Sequence, residues 1–377
     1  MSKHSILFST IIPKSHVTST LLSATASIAA LAASLMLAGC TSGESSAATA
    51  DSTLASAHGD TAAQVAVKAT GDASLTDVSL VDSAGDTRVP NEYGRIPVLE
   101  YHLIVPEEKG EFTRTPERLR KDLEELHKRG YVPVNMTDVL DKKIQELPRG
   151  KSPVVLVFDD ASPSQFRYIE RNGELVIDPT SAVGILEKFA DENPAWPRKA
   201  VFCLLPAAQA GRSFFGDKGI EGQKSEWRYR KVKFLHDQGY ELCNHTLYHA
   251  RLDKAGNRVE EFIARGDMAI DSVIPGYKVR TFALPLGMWP VNRSLAVSGS
   301  WTDPRSKKTI RYRYDAVLEV AGQPNESPYD EKFDHRSVNR QIMFRNALEV
   351  TLNQLDKPGA LGRYVSDGDP KSVARLK

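Results

Sequence analysis

The sequence predicts an α/β fold, a (β/α) barrel, for most of its length. Three observations carry this. The strand-like runs are apolar throughout rather than alternating, as in parallel sheets covered on both faces. Capped helical segments separate them. About six or seven strand–helix units fill roughly 280 residues, which suits a closed barrel. An open doubly wound sheet is the alternative, and either architecture puts its site at the carboxyl ends of the strands.

The first 40 residues are of another kind. Lys3 and Lys14 precede an uncharged run, Leu21 to Cys40, that reads as a basic n-region and an apolar h-region. An uncleaved membrane anchor is the alternative, since the run approaches spanning length. The run ends in Leu37-Ala38-Gly39-Cys40. That tetrapeptide resembles the lipobox of bacterial lipoproteins, which implies a lipid on Cys40 and an exported, membrane-anchored cell-envelope protein. Residues 41–94 are mostly Ala, Ser, Thr, Gly and Asp up to about Ser74, too poor in large apolar residues to fold alone, and read as a tether. Residues 95–377 form the remaining domain.

"IPVLEYHLI" opens it as a short strand. "TPERLRKDLEELHKRG" follows as a helix, with Thr115 as N-cap, Pro116 at the first position and Gly130 as stop. Leu119, Leu123 and Leu126 share one face. "YVPVN" reads as a strand, "MTDVLDKKIQEL" as a helix and "PVVLVFDD" as the third strand. A polar insertion with a hairpin-like "YIERNGELVID" precedes the helix "SAVGILEKFADEN". Then come the strand "KAVFCLLP", the helix "EWRYRKVKFLHDQG", the strand "YELCNH", the helix "RVEEFIARGDMAIDSVI" and the strand "VRTFALP". "IRYRYDAVLEVAG" reads as one longer strand and "RNALEVTLNQLDK" as the last helix.

Composition narrows the function classes. Hydrophobic residues make up 41%, charged residues 26%, and net charge is +1. No basic stripe with interleaved aromatics points to nucleic acid. Cys203 and Cys243 lie in apolar runs and read as buried thiols, with a disulfide as the alternative in an exported chain.

The chemistry collects at two strand ends. Asp159 and Asp160 finish "VVLVFDD"; His245 and His249 stand in "CNHTLYHARL". A carboxylate and two neutral imidazoles can hold a divalent metal with open positions, which leaves the second carboxylate as a base. Alone, "FDD" could be a cap and H-x-x-x-H a surface pair. Together at strand ends of one α/β domain they read as a metal site.

These motifs resemble those of the polysaccharide deacetylases, the NodB-homology carbohydrate esterases. Val157-Phe158-Asp159-Asp160 is similar to the family's T-F-D-D, and His245-Thr246-Leu247-Tyr248-His249 to its H-[ST]-x-x-H. "IPVLEYH" and "GYVPVNMTDVL" match the usual run into the first motif. The resemblance spans about Arg95 to Pro290. It implies a distorted (β/α) barrel of about seven parallel strands, with Asp159 as base and Asp160, His245 and His249 as ligands. Zinc is the first choice, with cobalt, nickel or iron also compatible.

The resemblance thins in the later motifs. "TFALPLGMW" keeps Pro285 and Gly287 of the third motif but lacks its Arg and its aromatic residue. Leu286 falls where a backbone N–H helps hold the oxyanion. The fifth motif has no clear match; His335 in "KFDHRSVNRQIMF" is the candidate general acid. His102, in "EYHLI", is a candidate contact to substrate or metal, or a core residue. Trp289 is the candidate to stack on a sugar. The implied partners are a polysaccharide and, through Cys40, a membrane, with the protein a monomer. The expected activity is removal of N- or O-linked acetyl groups from a cell-envelope or extracellular polysaccharide. Two alternatives stand beside it: a non-catalytic glycan-binding lipoprotein with a retained metal site, or a hydrolase of another envelope amide or ester.

Overall fold

The computed structural model describes residues 88–376 apart from 210, 211, 358, 360 and 361. The expected export signal 1–40, the expected lipid site Cys40 and most of the expected tether lie outside these residues. Among the described residues no helix is long and apolar enough to cross a membrane.

Seven parallel strands form the sheet: β1 Val98–Tyr101, β2 Ser152–Phe158, β3 Val201–Leu204, β4 Glu241–Asn244, β5 Thr281–Ala283, β6 Ala316–Val320 and β7 Val338–Ile342. They follow chain order around a closed barrel. β1 pairs with β2 on one side, through Val98–Val155 to Tyr101–Phe158. On the other side it pairs with β7, through Leu99–Gln341 and Glu100–Ile342. The barrel, not the open sheet, is therefore the architecture.

Side-chain alternation sorts two apolar clusters. Val155, Val157, Val201, Cys203, Cys243, Ala283, Leu318 and Val338 belong to one. Leu156, Phe158, Phe202, Leu242 and Phe282 join the other, which includes the helix residues. The small set fills the interior, where seven converging strands leave little room. Cys203 and Cys243 are register partners on β3 and β4, buried and unbridged.

The helices are α1 Pro116–Lys128, α2 Met136–Leu140, α3 Ala182–Glu192, α4 Arg228–Asp237, α5 Val259–Val273 and α6 Ala347–Leu355. The Thr115 hydroxyl caps α1 by accepting from the Arg118 N–H at 3.2 Å, and Leu119, Leu123 and Leu126 are fully buried.

Three expectations need correction. The "YVPVN" strand, Tyr131–Pro133, pairs only with the start of β2 and takes no place in the barrel ring. The long strand "IRYRYDAVLEVAG" is two. Thr309–Arg313 forms an antiparallel ribbon with Ser298–Thr302, and β6 begins anew at Ala316. The tether also ends before residue 94. Glu92 is fully buried, accepting from the Tyr364 hydroxyl at 3.0 Å and the Ala374 N–H at 2.8 Å. Asn91 bridges to Val365. These partners come from the C-terminal segment, so local composition could not reveal them.

Candidate active site

Alternation along the strands aims specific side chains inward at the carboxyl end. On β2, the step from Val155 and Val157 continues to Asp159. On β4, Cys243 is followed two residues on by His245. On β1 and β7 the same parity leads from Val98 to Glu100 and from Val338 to Arg340. These four residues line a cavity of about 530 Å³ with Asp160, His249, His102, Arg212, Phe112 and Leu286 among the other walls.

Asp160, His245 and His249 come together, with one ligand atom of each within 4.8 Å of the others. His245 Nε2 lies 3.5 Å and His249 Nε2 3.4 Å from Asp160 Oδ1. That oxygen is buried and has no hydrogen-bond partner. His245 Nδ1–H donates to the Ala283 carbonyl at 2.9 Å, which leaves the Nε2 lone pair aimed at the cluster. The three residues fit a divalent cation: two imidazole nitrogens and an orphaned carboxylate oxygen converge on one point.

Backbone strain marks the same place. Asp160 (φ 80°), Ala161 (φ 46°), Thr246 (φ 66°), His249 (φ 60°) and Leu286 (φ 58°) are all left-handed without being glycine. Such residues persist only where their surroundings hold them, and they gather at functional loops. The turn after Asp160 is held by Phe215 N–H donating to the Ala161 carbonyl at 3.0 Å. The turn after β4 is held by Asn244. Its Oδ1 accepts from the Thr246 N–H at 2.8 Å, while its amide donates to the Ile263 carbonyl and to Asp267 on α5.

Asp159 has a different set of contacts. Its Oδ2 receives Arg340 Nη1 at 2.5 Å, and both side chains are buried. Arg340 Nη2 lies 3.2 Å from Glu100 Oε1. Burial works against the charge on Asp159, but Arg340 and the two nearby imidazoles, His245 and His102, outweigh it and hold the carboxyl well below the usual range. Burial likewise opposes the charge on Asp160, and His245 with Arg212 overcomes it, holding the carboxyl at about 2. Burial pushes Glu100 up to about 8 despite Arg340. Burial and the neighbouring His245 pull His249 down to about 4, which keeps it neutral and able to ligate.

The other expected residues divide. His102 lines the cavity, its Nε2 3.6 Å from Glu100 Oε1 and its ring edge-on to Phe112. Leu286 also lines it, half-exposed. His335 does not reach it. It precedes β7 at the amino end of the barrel, and its Nδ1–H is spent on the Asp315 carbonyl at 2.6 Å, just before β6. Trp289 is also turned to other work. Its indole N–H donates to Glu319 at 2.9 Å and Arg293 covers its ring at 4.6 Å.

Glu100, Arg340 and Arg212 are contributors that sequence reasoning did not place. Arg212, from the insertion after β3, lies 3.2 Å from Asp160 Oδ2. The parity of β7 could have pointed to Arg340, had "SVNRQIM" been read as a strand.

Similarity to known proteins agrees with this geometry. The chain is 29% identical over 163 residues to a chitooligosaccharide deacetylase of Sinorhizobium fredii, covering 40% of this chain and 71% of that one. In sequence the chain is thus similar to a member of the NodB-homology polysaccharide deacetylases. No family profile matches it. The fold is that of the Streptococcus pyogenes deacetylase PplD in complex with acetate, at TM-score 0.50 and 18% identity, covering 72% of this chain and all of that one. A polysaccharide deacetylase from Bacillus cereus aligns at TM-score 0.46 and 16% identity, covering 68% of this chain and 67% of that one. Set against the motifs it resembles, this chain differs in how the first aspartate is held: its arginine arrives on the last barrel strand.

Proposed function

We propose that the chain is a metal-dependent hydrolase that removes N- or O-linked acetyl groups from a polysaccharide of the cell envelope or its surroundings. The observation that carries this is the convergence of Asp160, His245 and His249 beside a separately held Asp159. Asp160, His245 and His249 would hold the ion, zinc first, with cobalt, nickel or iron compatible with the same ligands. Such an ion supplies Lewis acidity toward the acetyl carbonyl.

The protein's own groups do the rest. Asp159 takes a proton from the attacking water. Its grip by Arg340 makes it a weak base that readily gives the proton up again. The same carboxyl can therefore hand that proton to the departing nitrogen or oxygen, a role that His335 cannot fill from the opposite end of the barrel. The Leu286 N–H faces the developing oxyanion, and His102 contacts the sugar.

Export and a lipid on Cys40 complete the proposal. A Cys40→Ser variant expressed in a bacterial host should move from the membrane fraction to the soluble one; an unchanged distribution would remove the lipid anchor from the picture. The activity itself is tested by acetate release from a panel of acetylated glycans by zinc-loaded protein. Release that vanishes in Asp159→Asn supports the mechanism, and no release from any glycan sinks it. Glycan binding without release would instead favour the non-catalytic reading.

A further inference from the structure

We propose that Glu100 is a positioning residue for Asp159, acting through Arg340. The inference rests on the deacetylase reading for its kinetic consequence, but its geometry stands alone.

Glu100 sits on β1, Asp159 just beyond β2 and Arg340 on β7. These three strands are neighbours at the seam where the barrel closes. All three side chains are buried, at 1%, 1% and 0% exposure. Arg340 places Nη1 at 2.5 Å from Asp159 Oδ2 and Nη2 at 3.2 Å from Glu100 Oε1, and its Nε is 3.4 Å from the Glu319 carbonyl. A planar guanidinium with fixed donor directions couples the two carboxyls: turning to serve one changes its angle to the other. Nη2 makes no hydrogen bond, and without Glu100 it would also lose the carboxyl oxygen beside it. The guanidinium would then be free to turn its fork wholly onto Asp159 and rotate that carboxylate.

A stability role alone explains the cluster poorly. The interior around it is apolar, with Val98, Val157 and Val338 on the same strands. Replacing a buried ionic group with apolar side chains is often neutral or stabilising, so three ionisable groups here suggest a need for orientation. Glu100 also stands 3.6 Å from His102 and lines the same cavity as the three ligands.

The test compares Glu100→Leu, which keeps the bulk and removes the carboxyl oxygens, with Glu100→Gln, which keeps an oxygen beside Nη2. Zinc-loaded proteins are assayed for acetate release from acetylated chitooligosaccharides. Glu100→Leu should lower kcat about 10- to 100-fold, the scale of a small misplacement of a reacting group. KM and zinc affinity should stay near wild type, and Glu100→Gln should recover most of the loss. In an Arg340→Met background, Glu100→Leu should cost nothing further. A wild-type kcat in Glu100→Leu, or equal damage in Glu100→Gln, overturns the proposal.

A crystal structure of Glu100→Gln and of Glu100→Leu gives a reading without turnover. The Arg340–Asp159 contact should persist in the first and shift in the second; an unshifted contact in Glu100→Leu overturns the proposal. If wild type releases no acetate, the deacetylase reading fails while the crystallographic comparison still decides the role of Glu100. Should Glu100→Leu not fold, Glu100→Thr serves the same comparison, its short side chain withdrawing the oxygen from beside Nη2.

Discussion

Asp160 and His249 are both held in left-handed backbone, an uncommon state for residues with a Cβ. That strain swings Asp160 out of the strand parity that carries Asp159, so two adjacent carboxylates serve two different places. Two predictions belong at this scale. Asp159→Asn should lower kcat by about 10²- to 10⁴-fold, the usual range for a lost acid–base group, while calorimetry shows zinc binding retained. His249→Ala should do the reverse of sparing the metal: zinc affinity should fall by at least about tenfold while the thermal midpoint of the metal-free protein barely moves, since His249 is partly exposed. The Asp and His motifs were legible because each is a short run at a strand end. Glu100 and Arg340 were not, because they lie 240 positions apart and meet only when β7 closes against β1. His335 misled for the same reason, since its distance from the site depends on where β7 begins.

At the scale of elements, the loops around the site are pinned by side chains from helices. Lys231 on α4 is fully buried, donating to the Phe215 carbonyl at 2.5 Å and Gln223 Oε1 at 2.7 Å. Gln223 in turn pairs with the backbone of Tyr168 at the start of the ribbon Tyr168–Ile177. One lysine thus ties together the insertions that follow β2 and β3. Lys231→Met would leave the buried Phe215 carbonyl unmet and take one of two donors from Gln223 Oε1, and should destabilise the protein by about 2 kcal/mol in urea unfolding. Gly266 on α5 is a second such pin. A Cβ there would meet Asn244 Oδ1 at 2.2 Å. Gly266→Ala should therefore disturb the turn that presents His245 and His249, and weaken zinc binding more than its small bulk suggests. Helix periodicity made α1 and α5 readable, whereas the value of Gly266 appears only with β4 packed beside it.

For the whole molecule, closure matters more than any one contact. The strands run around the barrel in chain order, so each βα unit packs beside the next, and the last must meet the first. The C-terminal segment then returns beneath the barrel. Ser152 accepts from Arg363 at 2.8 Å and Tyr364 reaches Glu92. Acid should loosen this assembly in a defined window. The Arg280 hydrogen bond holds Asp141 below its unfolded value of 3.8. For Asp178 burial opposes the charge, but the Thr180 N–H and Arg167 outweigh it, with the same net direction. Lowered carboxyls bind fewer protons folded than unfolded, so their contribution is whole above the unfolded value and drains away below it. The share of stability that these two carboxyls supply to the metal-free protein should be whole above about 4 and be lost below, so that Asp178→Asn shows a shallower decline than wild type in that acid window, as followed by thermal melts across pH.

By itself the sequence determined the strand–helix alternation, the caps of the helices and the two motifs proposed to supply a base and three ligands. Each of these depends on residues close together in the chain, where period, cap chemistry and spacing act directly. The tertiary structure alone decided that the sheet closes, that "YVPVN" stays outside the ring, and that Trp289 and His335 turn away from the cavity. It also decided that an arginine absent from "TFALPLG" arrives on β7 instead. The physical reason is the closure itself: inward-facing groups at the ends of distant strands become neighbours only when the first and last strands share hydrogen bonds.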